Sequence, residues 1–192
     1  MTAPSARILG LGGGLRPQSR SLSALKEALA FAEAAGAETR LIALDDLDLP
    51  LYRPNNATPE AYGPDAAPHI VRLLEAFRWA NGYLWASPSY HGSLTGAIKN
   101  ALDYAQFLST DSPSFLSGKT VGMISTGAGS IAAVNVITQL NQVAHGLRAG
   151  VVPLAVPIIA VGNAFDGDRL IDPQVRQRLE MLAKELVALV RR

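Results

Sequence analysis

The sequence predicts an α/β fold, a doubly wound parallel sheet of five strands with helices on both faces. Two observations carry that prediction. Short apolar runs alternate with stretches of helical spacing along the whole chain, which is the pattern of successive βαβ units around a buried sheet. The 192 residues are also 48% hydrophobic and only 17% charged, enough for one α/β domain with a substantial core spanning residues 1–192.

Taken in order, the strands are Arg7–Gly12, Glu38–Leu44, Gly82–Ser87, Thr120–Thr126 and Val151–Val161. The first helix is Ser21–Ala35, with Leu22, Leu25, Leu29 and Ala32 at helical spacing and Gly36 to end it. The second is Pro68–Ala80, through Ile70, Leu73, Leu74 and Phe77. A third fits Thr95–Leu108, where Ile98, Ala101, Leu102 and Ala105 pack on the sheet and Lys99 and Asp103 make a surface i,i+4 pair. A fourth fits Ile131–Leu147. The fifth, Pro173–Val190, starts with Asp172 as N-cap and Pro173 at its first position. Trp79 and Trp85 fall in a helix and a strand and read as core, with Trp85 a candidate to lie under a ligand site.

Such a succession fits a flavodoxin-like sheet of order 2-1-3-4-5 or a fragment of a Rossmann domain. Both put ligands at the carboxyl ends of strands near the point where the strand order reverses. Function is therefore to be sought in the loops after strands one, three and four. The segment Asp45–Pro64 reads as a long ordered loop, and its Leu47, Leu49, Leu51, Tyr52 and Tyr62 either meet a partner subunit or cover the chain's own core.

Composition excludes several functions. A net charge of +1, with scattered cations, gives no footprint for nucleic acid. Without cysteine there are no disulfides, thiolate metal sites or cysteine nucleophiles, so redox chemistry must use a bound cofactor. His69, His91 and His145 have no metal-ligand spacing, and no G-x-S-x-G elbow supports a hydrolase. The N-terminus lacks signal-peptide character, and the apolar run Val151–Val161 is broken by Pro153 and Pro157, well short of the roughly 20 residues of a membrane span. The expectation is a cytoplasmic protein without membrane contact.

The loop Gly12-Gly13-Gly14-Leu15-Arg16-Pro17-Gln18-Ser19-Arg20-Ser21 joins the first strand to the first helix and reads as an anion cradle. Hydroxyls at Ser19 and Ser21 add neutral donors and Arg16 a fork-shaped charged one, a set suited to the three free oxygens of a terminal phosphate monoester. An ordinary glycine-rich turn with a serine cap is the plain alternative. No P-loop lysine follows any glycine cluster, and the dinucleotide pattern G-x-G-x-x-G lacks its third glycine. Asp45 and Asp46 nevertheless stand where a ribose-binding acid would follow the second strand, which keeps a Rossmann-type dehydrogenase open. After the third strand comes Ser87-Pro88-Ser89-Tyr90-His91-Gly92-Ser93-Leu94-Thr95-Gly96-Ala97-Ile98-Lys99-Asn100-Ala101-Leu102-Asp103-Tyr104. Pro88 ends the strand, Tyr90 offers an aromatic face or edge to a planar ring, and Gly92 and Gly96 let the backbone approach it.

That stretch resembles the signature of the NADPH-dependent FMN reductase family, read roughly as P-E-Y-N-x-S-x-P-G-x-L-K-N-x-I-D-W. Pro88, Tyr90, Gly92, Ser93, Gly96, Lys99, Asn100 and Asp103 match, while Ser89 replaces Glu and His91 replaces Asn. The first loop resembles the family's G-S-x-R-x-x-S-x-N through Gly13, Arg16 and Ser19, with Gly14 and Ser21 departing from it. Ser125-Thr126-Gly127-Ala128-Gly129-Ser130 resembles the small-residue loop beside the flavin ring.

The resemblance implies FMN held by Arg16, Gln18, Ser19 and Ser21 at the phosphate, and by Pro88, Ser89, Tyr90, His91, Gly92, Ser93, Ser125, Thr126, Gly127 and Gly129 around the ring. His91 either flanks the flavin or caps its loop. NADPH or NADH would be co-substrate, and the acceptor a free flavin, quinone, azo compound or metal oxyanion, reached by a ping-pong route in which the flavin does the chemistry and no side chain need be catalytic. A homodimer or homotetramer is implied too. A non-enzymatic flavodoxin-like electron carrier is the alternative, less suited to a chain of near-neutral charge carrying Arg16.

Overall fold

A computed structural model of the protein describes residues 5–159 and 164–192. Strands β1 (Arg7–Gly12), β2 (Glu38–Ala43), β3 (Gly82–Pro88), β4 (Thr120–Gly127) and β5 (Gly150–Ile159) form one parallel sheet in the order β2-β1-β3-β4-β5. This is the expected flavodoxin-like order. The helices are α1 (Arg20–Ala34), α2 (Ala67–Trp79), α3 (Gly96–Asp103), α4 (Ser130–Gly146) and α5 (Pro173–Val190).

Because successive strand residues point to opposite faces, the sheet feeds two cores. Leu9, Leu11, Tyr83, Trp85, Val121 and Met123 pack with α2, α3 and α4, whereas Ile8, Leu84, Ala86 and Ile124 pack with α1 and α5. Burial of each large side chain contributes on the order of 1.5–3 kcal/mol relative to leaving it in water. The order reverses between β1 and β3, so the chain leaves these neighbours in opposite directions and a crevice opens above their carboxyl ends. No helix among the described residues is long and apolar enough to cross a membrane.

Helix ends follow the local chemistry. Gly36, at φ +83°, closes α1, with its N–H on Glu33 O (2.8 Å) and the Ala37 N–H on Ala32 O (3.0 Å). Asp172 caps α5 by accepting from the N–H groups of Gln174 (2.8 Å) and Val175 (3.2 Å). Lys99 and Asp103 meet at 2.6 Å on an exposed face of α3.

Some boundaries differ from expectation. The second strand stops at Ala43, because Leu44–Asp46 tightens into a 3₁₀ turn. The third helix ends at Asp103 and continues as a 3₁₀ turn over Tyr104–Leu108. The last strand is described to Ile159, so the expected end at Val161 lies outside the described residues. Pro153 and Pro157 fit within β5 because it is an edge strand. Its register to β4 is irregular between Val121 and Met123, which face Val151 and Ala155.

The Asp45–Pro64 segment packs largely on its own chain. Leu47 is buried and Leu49, Tyr52 and Tyr62 lie against the core, while Leu51 is 76% exposed. The rings of Tyr52 and Tyr62 meet those of Tyr104 and Phe107 at centroid distances between 5.4 and 6.5 Å. Asn100 fastens the loop to α3, accepting from the Tyr52 N–H (2.8 Å) and donating to Pro50 O (2.9 Å), where the Tyr104 hydroxyl also donates (2.9 Å).

A two-stranded hairpin, β6 (Phe165–Asp166) and β7 (Arg169–Leu170), precedes α5 and was not expected. Its signal stands in the sequence as a two-residue Gly167-Asp168 turn, with Gly167 at φ +62° as the first central position of a type II′ turn requires.

Candidate active site

The loop after β1 is stitched to the end of β3. The Gly13 N–H donates to Ala86 O (3.0 Å), and an added Cβ on Gly12 would lie 2.0 Å from that same oxygen. The chain then crosses to Ser19, the N-cap of α1. Ser19 Oγ accepts from the Gly14 N–H (2.7 Å) and the Leu22 N–H (3.3 Å), which occupies both of its lone pairs. Its proton is therefore left for Ser21 Oγ, 3.1 Å away. Ser21, with its acceptor side so engaged, keeps its own proton free to donate. The Ser21 backbone N–H, in the first turn of α1, carries no acceptor among the described residues. This end of the helix thus gathers donors and the positive end of the helix dipole.

The next wall comes from β3 and β4. The Ser89 N–H donates to Thr126 O (2.7 Å), tying the two strand ends together. Ser89 Oγ is buried with no hydrogen-bond partner among the described residues. Tyr90 and Ser93 close a tight turn with paired backbone bonds of 2.9 and 3.0 Å, in which His91 (φ +52°) and Gly92 (φ +80°) are both left-handed.

Together these loops bound an open cleft of about 470 Å³, within the range of small-ligand sites. The structure brings Arg16, Gln18, Ser19, Ser21, Pro88, Ser89, Tyr90, Thr126 and Gly127 to its wall, along with Gly14, Arg20, Ala128 and Gly167. Among the described residues the wall contains no acidic side chain, and its charges, Arg16 and Arg20, stand on the α1 side. Arg16 is exposed, whereas the Arg20 guanidinium donates to Gly167 O (3.0 Å) and lies over the Phe165 ring.

His91, Gly92, Ser93, Ser125 and Gly129 stand off this wall, each for a visible reason. His91 and Gly92 are the central residues of the turn, where histidine is among the few side chains that adopt a left-handed backbone readily. Ser93 Oγ donates to Gln139 Oε1 of α4 (2.6 Å), and the Leu94 N–H donates to the same oxygen (3.1 Å). Ser125 is fully buried and donates to Ala133 O (2.7 Å), away from the cleft. Gly129 is the N-cap residue of α4.

Sequence reasoning missed Gln139, whose polar side chain holds the Tyr90–Leu94 loop from a helix 46 residues along the chain; nothing local marks it. It also missed Gly167, which the Gly-Asp turn signal could have found. Asp45 and Asp46, the candidate ribose acids, lie exposed in the turn after β2 and contribute nothing to the cleft wall.

Chemically, the cleft has one end built for an anion and another that is flat, small-residue and aromatic. The anionic end offers the free hydroxyl proton of Ser21, a free helix N–H and Arg16. At the other, Pro88, Tyr90 and the Thr126–Ala128 backbone leave room for a planar group, and the unpartnered Ser89 Oγ waits for a polar edge. A riboflavin ring system ending in a phosphate monoester has both features, so the residues fit FMN. Among the described residues no cluster of three His, Asp or Glu side chains is placed to hold a metal ion.

Comparison with known proteins gives a consistent picture. The model of the family described as NADPH-dependent FMN reductase matches residues 6–164. The NADPH-dependent FMN reductase ArsH of Shigella flexneri is 30% identical over 194 residues, covering 98% of this chain and 71% of the relative. An NAD(P)H-dependent FMN reductase of Pseudomonas aeruginosa is 30% identical over 191 residues, covering 97% and 96% respectively. Among solved structures, the flavoenzyme NAD(P)H:(acceptor) oxidoreductase FerB from Paracoccus denitrificans superposes with a TM-score of 0.72 at 24% identity, over 96% of this chain and 97% of that one, which shows the shared fold.

Proposed function

The chain belongs to the NADPH-dependent FMN reductase family, and from that premise we propose that its cleft holds FMN with the phosphate on the N-terminus of α1 and the ring against Pro88–Tyr90 and Thr126–Ala128. It is an NAD(P)H-dependent flavoenzyme with FMN as cofactor. The observation that carries the placement is the donor arrangement at Ser19 and Ser21, which leaves one hydroxyl proton and one helix N–H for an anion.

Bound there, FMN supplies the two-electron chemistry, taking hydride from a nicotinamide and giving it to a small acceptor. The protein's part is positional. Ser21, the helix terminus and Arg16 hold the phosphate, Tyr90 and Pro88 bound the ring, and Ser89 Oγ is available to a polar ring atom. We read the open side of the cleft as a shelf that nicotinamide and acceptor use in turn, a ping-pong scheme. A free flavin, quinone, azo compound or metal oxyanion suits that shelf.

The test is direct. Purified protein mixed with FMN should quench flavin fluorescence, and NADPH or NADH added without oxygen should then bleach the flavin's visible absorption. No quenching would overturn the placement, and quenching without bleaching by either nicotinamide would point to an electron carrier. A homodimer or homotetramer remains our reading of the assembly. Leu51, Ile131 and Val134, which are 76%, 77% and 49% exposed, all lie on the α2–α4 side, and a solution mass measurement decides it.

The two serines should separate cleanly. Ser21→Ala removes a donor to a charged group, a loss of about 1.5–3 kcal/mol, and should weaken FMN by about ten- to a hundredfold while leaving riboflavin unchanged. Ser19→Ala removes a helix cap and the Gly14 anchor, costing about 1 kcal/mol of stability and lowering the melting temperature by about 2–4 °C. Fluorescence titration with both ligands, beside thermal unfolding, reads the split. A riboflavin loss equal to the FMN loss in the Ser21 variant would refute the assignment.

A further inference from the structure

We propose that the hairpin β6–β7 is the end wall of the FMN site, and that by closing the cleft beyond the phosphate it selects the mononucleotide over FAD. The proposal rests on the phosphate placement given above. Gly167, at the hairpin turn, is the residue of β6–β7 that reaches the cleft, and it does so beside Arg20 and Ser21, the phosphate end.

The wall is fixed rather than free. Gly167 O accepts from Arg20 Nε (3.0 Å), and the Arg20 guanidinium lies 5.7 Å from the centroid of the Phe165 ring. Phe165 and Leu170 are each only 6% exposed and belong to the core shared with α1 and α5. Ala164 O, just before β6, accepts the N–H groups of Ile171 (2.9 Å) and Asp172 (3.3 Å), so the hairpin is closed at its base as well as at its tip. One arginine thus bolts the turn to the first residue of α1.

The chemistry of the two flavins makes such a wall selective. The phosphate of FMN is a terminal monoester whose free oxygens can all meet donors, whereas in FAD the chain leaves that phosphate through a bridging oxygen toward a second phosphate and adenosine. That exit runs away from the ring, where Gly167 and Arg20 stand. The depression on the hairpin's far side offers Asp168 and Glu27 beside Lys26 and Arg169, and Glu27 and Arg169 are already paired with Arg176 and Asp166. Among the described residues it has no cluster of free cations to receive a second phosphate. Discrimination here comes from blocking the competitor, not from holding FMN more tightly.

The test measures dissociation constants of FMN, FAD and riboflavin by flavin fluorescence in the wild-type chain, in Arg20→Ala and in Phe165→Ala. In the wild type FAD should bind at least about a hundredfold more weakly than FMN, a difference of about 2.7 kcal/mol. Unbolting the turn by Arg20→Ala, or removing its platform by Phe165→Ala, should narrow the FAD to FMN ratio by about tenfold or more, even if FMN itself weakens. FAD binding within threefold or so of FMN in the wild type overturns the wall. An unchanged ratio in the two variants also overturns it, because exclusion would then arise elsewhere; circular dichroism verifies that both are folded. If FMN binds no more tightly than riboflavin, the phosphate placement itself fails and the wall with it.

Discussion

Alanine at Gly12 should cost the protein about 4 kcal/mol or more, and lower its melting temperature by about 8–16 °C. The added Cβ would stand 2.0 Å from Ala86 O and 2.8 Å from both the carbon and the nitrogen of Ala86. These are backbone atoms of a neighbouring central strand, paired in register with Gly12, so no side-chain rotation relieves the clash. The φ of +149° at Gly12 disfavours any L side chain independently. Relief requires β1 and β3 to part at their carboxyl ends, which breaks the bond from Gly13 N–H to Ala86 O and moves both loops that bound the cleft. Flavin binding should therefore fall along with stability. Gly129→Ala is the control: an added Cβ there has nothing within 4 Å, so the expected cost is that of a poorer N-cap for α4, at most about 1 kcal/mol and about 2–4 °C. Equal melting temperatures for the two variants would show that the β1–β3 junction yields more easily than its geometry implies.

Arg16→Glu should weaken FMN by about a hundredfold and riboflavin hardly at all. Losing one charge-assisted bond from an exposed arginine accounts for about ten- to thirtyfold of this, after allowance for solvent screening. The rest comes from setting a carboxylate near a phosphate dianion, where each charge pair at about 4–6 Å costs on the order of 1 kcal/mol close to water. Two conditions tune the result. Salt should shrink the gap between wild type and variant, since the site is open and a Debye length is about 3 Å at 1 M. Lowering the pH below about 6 protonates the phosphate to a monoanion, so repulsion by Glu and attraction by Arg16 both fall and the two proteins should converge. Titrations with FMN and riboflavin across salt and pH check this. Equal losses for the two flavins would remove Arg16 from the phosphate.

Much of the fold is legible because its rules act over a few residues. The helical spacing of Leu22, Leu25 and Leu29, the stop at Gly36 and the Asp172-Pro173 start of α5 are each local and each stand in the structure. Three stretches were readable as site loops for the same reason, since small residues after an apolar strand mark the carboxyl end of a parallel sheet. The wall of the cleft was less legible. His91 stands in the loop expected around the ring, yet its backbone conformation puts it at the turn. Ser125 and Ser93 look like donors to a ligand until α4 packs beside them and takes their protons. Short elements also escaped: the hairpin is two residues a side, below what periodicity can register.

By itself, then, the sequence determined the alternation of elements and marked the loops at the strand ends from which the proposed site is built. The tertiary structure alone decided which side chains face the cleft and what holds its walls in place. Gln139 reaches Ser93 across 46 residues, Asn100 reaches Pro50 across 50, and Arg20 reaches Gly167 across 147. No local pattern encodes those pairings. They arise because the buried faces of α1, α3 and α4 must cover the sheet, and the polar groups carried along at the margins of these helices find partners wherever packing leaves them.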